Sequence, residues 1–342
     1  MALFPVFGKA PSGARLERIH QSAGYAEGGF QNPVPTDVTL KDASFVGMLW
    51  KFFNKPSDTV PPKPLPSVHT DLQHLPSGQP LIVWFGHSSY LLKVDNFHML
   101  VDPVFSGNAS PFSFFAKAFP GADAYGVEDL PFLDVVLLTH DHYDHLDYKT
   151  VTQLERKTAR FVTSLGVGAH LEYWGVDPAK ITELDWLEET ALPMGSLTAT
   201  PARHFSGRSF KRGQTLWSSF VLKIAGHNLF LGGDSGYGPH FKKIGDQYGP
   251  FELAILECGQ YGENWPYIHT TPEETVKAAQ DLHAALLLPV HWAKFSLSLH
   301  PWNEPVRRVV KAAAAAGMNI TTPKIGEVVQ LGGNLPHEAW WE

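Results

Sequence analysis

Short apolar runs separated by turn residues predict that a β-meander opens the folded body of this chain. Three such runs lie close together at residues 81–84 (LIVW), 89–94 (SYLLKV) and 98–101 (HMLV). Gly, Asp and Asn between them are typical of tight turns between strands. Residues 134–139 (DVVLLT) are apolar for longer, which indicates a strand buried on both faces.

Farther along the chain the pattern alternates between strand-like and helix-like segments. Further strands are predicted at residues 161–163, 180–184, 197–200, 218–224, 229–231 and 286–290. Helices are predicted at residues 148–157, 166–174, 271–283 and 305–316. Pro272 followed by Glu273 and Glu274 is a typical helix start, because proline suits the first turn and acidic groups favour the helix N-terminus. The alternation predicts an α/β fold.

The N-terminal part differs in composition and predicts an arm over residues 1–78, before a folded domain over residues 79–342. The arm is rich in proline, glycine and polar residues. Five prolines within residues 56–66 fix φ and remove hydrogen-bond donors, so this stretch is predicted to be a linker or an extended segment.

One segment of the arm, residues 44–55 (SFVGMLWKFFNK), predicts an amphipathic helix. Its apolar stripe follows the spacing i, i+3, i+4, i+7, i+8 and consists of Phe45, Met48, Leu49, Phe52 and Phe53. Two interpretations remain open: the helix docks on the folded body, or its aromatic and basic faces contact lipid.

Composition and charge narrow the class of protein. A chain of 342 residues with 44% hydrophobic residues has enough apolar surface for a large core, which excludes a disordered chain. The net charge of −7 argues against nucleic acid as a partner. The single cysteine, Cys258, excludes an intrachain disulfide, and no apolar run reaches membrane-spanning length. We therefore expect a cytoplasmic protein, with peripheral contact at the inner membrane surface as a further possibility.

The 17 histidines direct attention to metal binding, and one motif carries most of that signal. The strand at residues 134–139 runs directly into His140, His142, Asp144 and His145, in the pattern H-x-H-x-D-H. Imidazole and carboxylate are suitable ligands for Zn²⁺ and similar metals. On a tight turn these four side chains would serve two neighbouring cations.

Further candidate ligands follow later strands. His204, Asp234 and His291 each come just after a predicted strand, where α/β sheets usually bind their ligands. Asp141, between the motif histidines, either orients an imidazole or caps the turn. His87 lies in a glycine-bounded turn and is a candidate neighbour of the site.

This ordered set resembles the metallo-β-lactamase superfamily. Flanking motifs are similar to those of the phospholipase D family that hydrolyses N-acylphosphatidylethanolamine, together with its bacterial relatives. They lie at residues 84–89 (WFGHSS), 101–106 (VDPVFS), 184–186 (LDW), 200–204 (TPARH), 216–217 (LW), 233–237 (GDSGY) and 291–292 (HW). The resemblance covers about residues 78–333 and implies a four-layer αββα sandwich with an N-terminal extension.

The resemblance also implies roles for the candidate residues. His140, His142 and His204 would hold one metal, Asp144, His145 and His291 the second, and Asp234 would bridge both. His269 would face the site without binding metal, so Asp144, Asp234 and His269 are the expected catalytic residues. The expected cofactors are two Zn²⁺ ions, with Mn²⁺ or Fe²⁺ as alternatives.

The implied activity is hydrolysis of an N-acylphosphatidylethanolamine-like phospholipid through a metal-bridging hydroxide. A lactonase or another ester hydrolase on the same fold is one alternative, and a non-catalytic metal-binding protein is another. Residues 257–267 depart from the family pattern in a loop that should touch substrate. The predicted substrate contacts are Phe45, Leu49, Phe52, Gln260 and Tyr261.

Overall fold

The computed structural model describes residues 4–42, 44–208 and 211–342, with the side chains of Phe45 and Leu49 outside the description. The strands in chain order are β1 Tyr25–Ala26, β2 Gly29–Phe30, β3 Leu81–Trp84, β4 Tyr90–Val94, β5 Phe97–Val101, β6 Leu133–Leu138, β7 Thr158–Ser164, β8 Ile181–Leu184, β9 Glu189–Leu192, β10 Gly195–Pro201, β11 Ser218–Ile224, β12 His227–Leu231, β13 Leu253–Glu257, β14 Leu287–Val290 and β15 Val328–Gln330. The α-helices are α1 Ala14–Gln21, α2 Phe45–Phe53, α3 Tyr148–Leu154, α4 Gly168–Tyr173, α5 His240–Tyr248, α6 Pro272–Asp281 and α7 Glu304–Ala316.

Two mixed β-sheets form the centre of the molecule. A seven-stranded sheet has the order β15-β3-β4-β5-β6-β7-β8, and a six-stranded sheet has the order β14-β13-β12-β11-β10-β9. In the first sheet β5 to β8 run parallel, and in the second β12 to β14 run parallel. Both sheets therefore combine an antiparallel meander with parallel strands that need crossover connections.

The packing of these layers follows the apolar pattern of the strands. Leu92 and Met99 of the first sheet share one buried cluster with Phe220 and Phe230 of the second, so the two sheets pack face to face. The other face of the first sheet packs against Val151 of α3 and the neighbouring helix α4. Helices α5, α6 and α7 cover the second sheet. This order of layers confirms the αββα sandwich.

Residues 4–42 and 44–78 lie along this sandwich. Ile19 of α1 is fully buried in a cluster with Leu165 and Trp217. In the proline-rich stretch, the backbone N–H of Leu65 donates to Pro120 O at 2.8 Å, and Asp58 O accepts from Trp302 N–H at 2.9 Å. The stretch predicted as a linker is therefore held against the folded body along its length.

Helix α2 forms where the periodicity predicts it. The Ser44 hydroxyl caps its first turn by accepting from Gly47 N–H, as serine does at many helix N-termini. Across residues 4–42, 44–208 and 211–342, no helix combines the length and apolar character needed to cross a membrane.

Candidate metal centre and active site

The chemically active side chains lie together at one edge of the two sheets. The H-x-H-x-D-H turn follows β6, His204 follows β10, Asp234 follows β12 and His291 follows β14. The turn after β6 closes through backbone bonds from His145 N–H and Leu146 N–H to His142 O. Since these strands end at the same edge, the structure brings all seven predicted ligands together.

Three histidine nitrogens converge in the first group. His142 Nδ1 lies 2.9 Å from His140 Nε2 and 3.2 Å from His204 Nε2. Ligands of a tetrahedral zinc ion with bonds of about 2.0–2.1 Å are separated by about 3.3 Å. The spacing of these three nitrogens therefore fits one divalent cation, with Asp234 as the fourth residue of the group.

A second group contains Asp144, His145 and His291 together with His87. His145 Nε2 lies 3.5 Å from Asp144 Oδ2, and His291 Nε2 lies 4.0 Å from the same oxygen. This group lies beside the first, because the rings of His140 and His145 are only 4.2 Å apart between centroids.

Asp234 lies between the two groups. Its Oδ2 atom is 3.1 Å from His145 Nε2, 3.8 Å from His204 Nε2 and 3.9 Å from His140 Nε2. Within the described part of the chain, its Oδ1 atom is buried, accepts no hydrogen bond of good geometry and lies 3.2 Å from Nδ1 of His291. A buried carboxylate with so few hydrogen bonds is costly unless a cation neutralises it, so the position of Asp234 between the two groups fits a bridging ligand.

Polar groups behind the imidazoles fix which nitrogen faces the centre. Nδ1 of His145 donates to Asp102 at 2.8 Å, and Nδ1 of His204 donates to Ile268 O at 2.8 Å. The Thr139 hydroxyl donates to Asp102 and accepts from Nδ1 of His140. These contacts direct Nε2 of all three histidines toward the centre, where each would bind a metal ion in its deprotonated form.

The electrostatics of the site favour the ligand forms of these side chains. Burial lowers the pKa of His140, His204 and His291 well below its usual value, so these imidazoles are neutral. Burial alone would raise the pKa of Asp144 and Asp234, but neighbouring histidines, His145 foremost, lower both well below the usual range. Neutral imidazoles and ionised carboxylates are the forms that bind divalent metals. His145 is the exception: burial would lower its pKa, but the carboxylates of Asp234, Asp144 and Asp102 outweigh burial and raise it well above its usual value, so a metal ion at its Nε2 would replace a proton.

His269 and Glu257 form a pair at the edge of the centre. His269 Nδ1 lies 2.6 Å from Glu257 Oε2, and the His269 ring packs 5.1 Å from that of His204. Burial lowers the pKa of His269, but the Glu257 carboxylate outweighs this and raises it to about 9. Sequence reasoning missed Glu257, which ends the buried strand β13.

The sequence leaves the roles of His87 and Asp141 open, and the contacts of these two side chains show what each one does. His87 lies at the site, with Nε2 2.9 Å from Asp144 Oδ2. Asp141 accepts from Gly207 N–H at 2.7 Å and from the Thr215 hydroxyl at 3.0 Å. Asp141 therefore ties the motif to the segment after His204 rather than orienting a ligand imidazole.

A cavity of about 570 Å³ opens beside His269, and its wall includes Tyr261 and Trp265. An adjoining apolar groove of about 180 Å³ is lined by Met48 and Phe52 of α2 and also by Trp265. Two of the predicted substrate contacts, Tyr261 and Phe52, thus line these two spaces. The other two contacts predicted on α2, Phe45 and Leu49, fall on side chains outside the described residues.

Gln260 requires a correction. Its side chain is buried, and its amide donates to Phe295 O at 3.1 Å and accepts from Leu297 N–H at 2.9 Å. The side chain therefore holds the wall of the cavity in place instead of contacting substrate. Because glutamine is polar, the sequence alone does not show whether its side chain is exposed on a loop or buried and hydrogen-bonded.

The αββα sandwich, with seven His and Asp side chains at one edge that could hold metal ions, is that of a metal-dependent hydrolase. The chain belongs to the metallo-β-lactamase superfamily: the model of the family described as the beta-lactamase superfamily domain matches residues 98–292.

Relatives and solved structures agree with this membership. An uncharacterized protein of Mycobacterium tuberculosis (strain ATCC 25618 / H37Rv) is 37% identical over 326 residues, which cover 94% of this chain and 88% of the relative. The N-acyl-phosphatidylethanolamine-hydrolyzing phospholipase D 1 of Caenorhabditis elegans is 30% identical over 248 residues, covering 68% of this chain and 69% of that protein. The structure of a metallo hydrolase from Ignicoccus hospitalis, 20% identical, superimposes with a TM-score of 0.58 over 74% of this chain and 98% of its own. The structural likeness supports the fold alone.

Proposed function

We propose that the protein is a binuclear zinc phosphodiesterase that acts on a phospholipid of the N-acylphosphatidylethanolamine type. Two divalent ions, when bound, would supply Lewis-acid polarisation of the phosphoryl group and a water nucleophile at neutral pH. His140, His142 and His204 would hold one ion, while Asp144, His145 and His291 would hold the other. Asp234 would be shared by both ions.

The protein's own residues supply the remaining parts of this function. Glu257 occupies Nδ1 of His269, which leaves Nε2 to donate a hydrogen bond to a phosphoryl oxygen or to the leaving group. The ligand set carries two carboxylates, so two bound divalent ions would leave a positive field that favours an anionic substrate.

One observation supports this choice of substrate: the cavity beside His269 is continuous with the apolar groove. Asn264, Trp265, Ser298 and Leu299 line both spaces, so a polar head beside His269 and an acyl chain along α2 could be bound at once. A small hydrophilic ester would leave the groove empty. The C. elegans relative, whose name describes hydrolysis of N-acyl-phosphatidylethanolamine, supports the same substrate class.

A hydrolysis panel tests the proposal with the zinc-loaded protein. It contains an N-acylphosphatidylethanolamine, a simple aryl phosphodiester, an acyl-homoserine lactone and a β-lactam. We expect cleavage of both phosphodiesters, with the lipid preferred, and release of phosphatidic acid from it. Preferred opening of the lactone would replace the proposal by the lactonase alternative, and metal binding without any turnover would favour the non-catalytic alternative.

Substitution of the groove should separate lipid from water-soluble substrates. Met48→Ser combined with Phe52→Ser removes apolar contacts, and a buried Phe or Met side chain is worth about 1.5–3 kcal/mol. The Michaelis constant for a long-chain substrate should therefore rise at least about tenfold, while hydrolysis of the aryl phosphodiester stays unchanged. Phe132→Ser, at an exposed phenylalanine before β6, is the control. Equal losses on both substrates would show that α2 is purely structural.

A further inference from the structure

Aromatic side chains form one continuous surface beside the apolar groove. We call it the aromatic surface, and it consists of Phe4, Phe7, Phe53, Phe112, Phe114 and Phe115. Each ring contacts the next, with centroid separations between 4.6 Å for Phe114–Phe115 and 6.4 Å for Phe7–Phe112. Three separate segments of the chain therefore present their aromatic rings on the same side.

Four rings of this surface are exposed, and the other two, Phe7 and Phe115, are partly buried. Phe53 is 63% exposed and Phe114 is 66% exposed, and Trp50 on the outer side of α2 is also 66% exposed. Exposed large apolar side chains that cluster mark an interaction site more often than scattered ones do. The core of this protein is large, so its packing does not require these rings to be exposed to water.

We propose that the aromatic surface docks the protein onto an anionic phospholipid bilayer. This inference rests on the proposed function in one respect: the substrate is taken to reside in that bilayer. Aromatic side chains on several short segments suit the shallow interfacial zone of a membrane.

Charge distinguishes a bilayer from other occupants. The segments that carry the surface, residues 4–12, 41–55 and 108–118, contain one aspartate and four exposed lysines, although the whole chain has a net charge of −7. A fifth lysine, Lys55, is partly buried and donates to Ser296 O, so it is not counted with them. The surface is thus locally basic on an acidic protein, which complements anionic headgroups.

Continuity with the groove gives a second reason. The Phe52 ring, which lines the groove, lies 6.3 Å from that of Phe53 on the aromatic surface. An acyl chain that leaves the bilayer would remain in contact with apolar side chains until it enters the groove. A protein partner bound on the same surface would cover that path.

Vesicle flotation of the full zinc-loaded protein tests the proposal without relying on turnover. We expect binding to vesicles that contain phosphatidylglycerol, weaker binding to pure phosphatidylcholine, and loss of binding at high salt. Phe53→Ser combined with Phe114→Ser should lower the partition coefficient at least about tenfold.

The matched control carries the same type of change elsewhere. Phe132 is 59% exposed and Leu187 is 60% exposed, and both lie outside the aromatic surface, so Phe132→Ser combined with Leu187→Ser should bind vesicles as the wild type does. Thermal unfolding checks that each variant folds. If the double variant does not fold, vesicle binding is measured with Phe114→Ser alone.

Three outcomes would overturn the proposal. The proposal fails if the wild type does not float with anionic vesicles, or if both pairs of substitutions have equal effects. It also fails if the wild type is a dimer in solution and Phe53→Ser combined with Phe114→Ser makes it monomeric. The last result would show that a second copy of the chain covers the surface. A wild type that binds vesicles but hydrolyses no phosphodiester would reject the proposed function and retain the docking surface.

The N-terminal arm also contacts the metal centre, through the side chain of Asn32. The Asn32 amide donates to His204 O at 2.7 Å, and its carbonyl oxygen accepts from His204 N–H at 3.0 Å. Trp217 Nε1 also donates to that oxygen at 3.2 Å. A side chain that pairs with both backbone groups of a ligand residue fixes its position.

We infer that Asn32 positions His204 for metal binding, so that the arm completes the centre. Only a short side chain with both a donor and an acceptor makes this pair of bonds. Alanine at position 32 would leave the backbone groups of His204 without these partners and allow its ring to move. Partners behind a ligand usually contribute 10- to 100-fold to metal affinity.

Cobalt binding measured by chelator competition tests this role. Asn32→Ala should weaken Co²⁺ binding by about 10- to 100-fold and change the visible absorption of the bound ion. Asn32→Asp fills the same volume and keeps the acceptor but loses the donor, so its affinity should lie between those of the wild type and Asn32→Ala.

Gln31→Ala is the matched control, because the exposed Gln31 amide donates only to Ala26 O and Gly29 O within the arm. Its affinity and absorption should equal those of the wild type. Wild-type affinity and spectrum in Asn32→Ala would show that the contact is merely structural. If Asn32→Ala fails to fold, the comparison of Asn32→Asp with Gln31→Ala decides.

Discussion

Asp234→Asn is expected to abolish binding of both metal ions and to lower turnover by more than about 100-fold. Loss of a partner behind a ligand already costs up to about 100-fold, and a shared ligand should cost more. Asp234 Oδ2 approaches nitrogens of both ligand groups, and asparagine removes the negative charge that the two sites would share. Metal content by elemental analysis and hydrolysis of an aryl phosphodiester measure the two effects.

Two further variants show whether the loss is specific to a bridge. His204→Ala removes a ligand of the first group only, so this variant should retain about one ion where Asp234→Asn retains none. Asp246→Asn changes an exposed aspartate that pairs with Lys242 on α5, and it should bind two ions. Two ions in Asp234→Asn, or identical stoichiometry in Asp234→Asn and His204→Ala, would contradict the bridging role.

The sequence was enough to predict that the seven candidate ligands meet, because they follow strands with strong apolar patterns. β6 and β14 are buried along almost their full length, and His140 and His291 come within two residues of their ends. Once such strands lie in one α/β sandwich, the residues after them must meet at one edge. The structure therefore brings together the same seven candidate ligands that the sequence predicts.

Glu257 was missed for a local reason. Its strand β13 (LAILE) is fully buried and was not predicted, although its apolar run followed by Glu257, Cys258 and Gly259 resembles the other ligand-bearing strand ends. Treating residues 257–267 as one divergent loop hid the strand. A search for acidic residues at the ends of apolar runs would have found it.

Contacts between distant segments explain the remaining differences. Asn32 meets His204 across 172 positions of sequence, and no local pattern reports such a pairing. The glycine- and proline-rich composition of the arm predicted an extension, and only the packed structure shows how that extension is held. Gln260 similarly acquires its anchoring role from Phe295 and Leu297, which are remote in sequence.

His269→Ala is expected to lower turnover by about 100-fold or more while metal content stays unchanged. General acid–base groups and oxyanion donors commonly contribute about 10²- to 10⁴-fold. His269 borders the cavity, its Nδ1 is held by Glu257 at 2.6 Å, and its other nitrogen is left for a substrate oxygen. Steady-state kinetics on the aryl phosphodiester and elemental analysis of the same samples give both values.

Variants around this pair decide whether His269 acts on the substrate or on the metals. Glu257→Gln keeps a hydrogen-bond acceptor for Nδ1 but removes the charge, so turnover should fall less than in His269→Ala. His283→Ala changes an exposed histidine just after α6 and should leave turnover unchanged. His269, Glu257, Asp234 and His291 lie close enough together to form a ligand group of their own. If His269→Ala loses a metal ion, His269 is a ligand, and the assignment of its free nitrogen to the substrate is wrong.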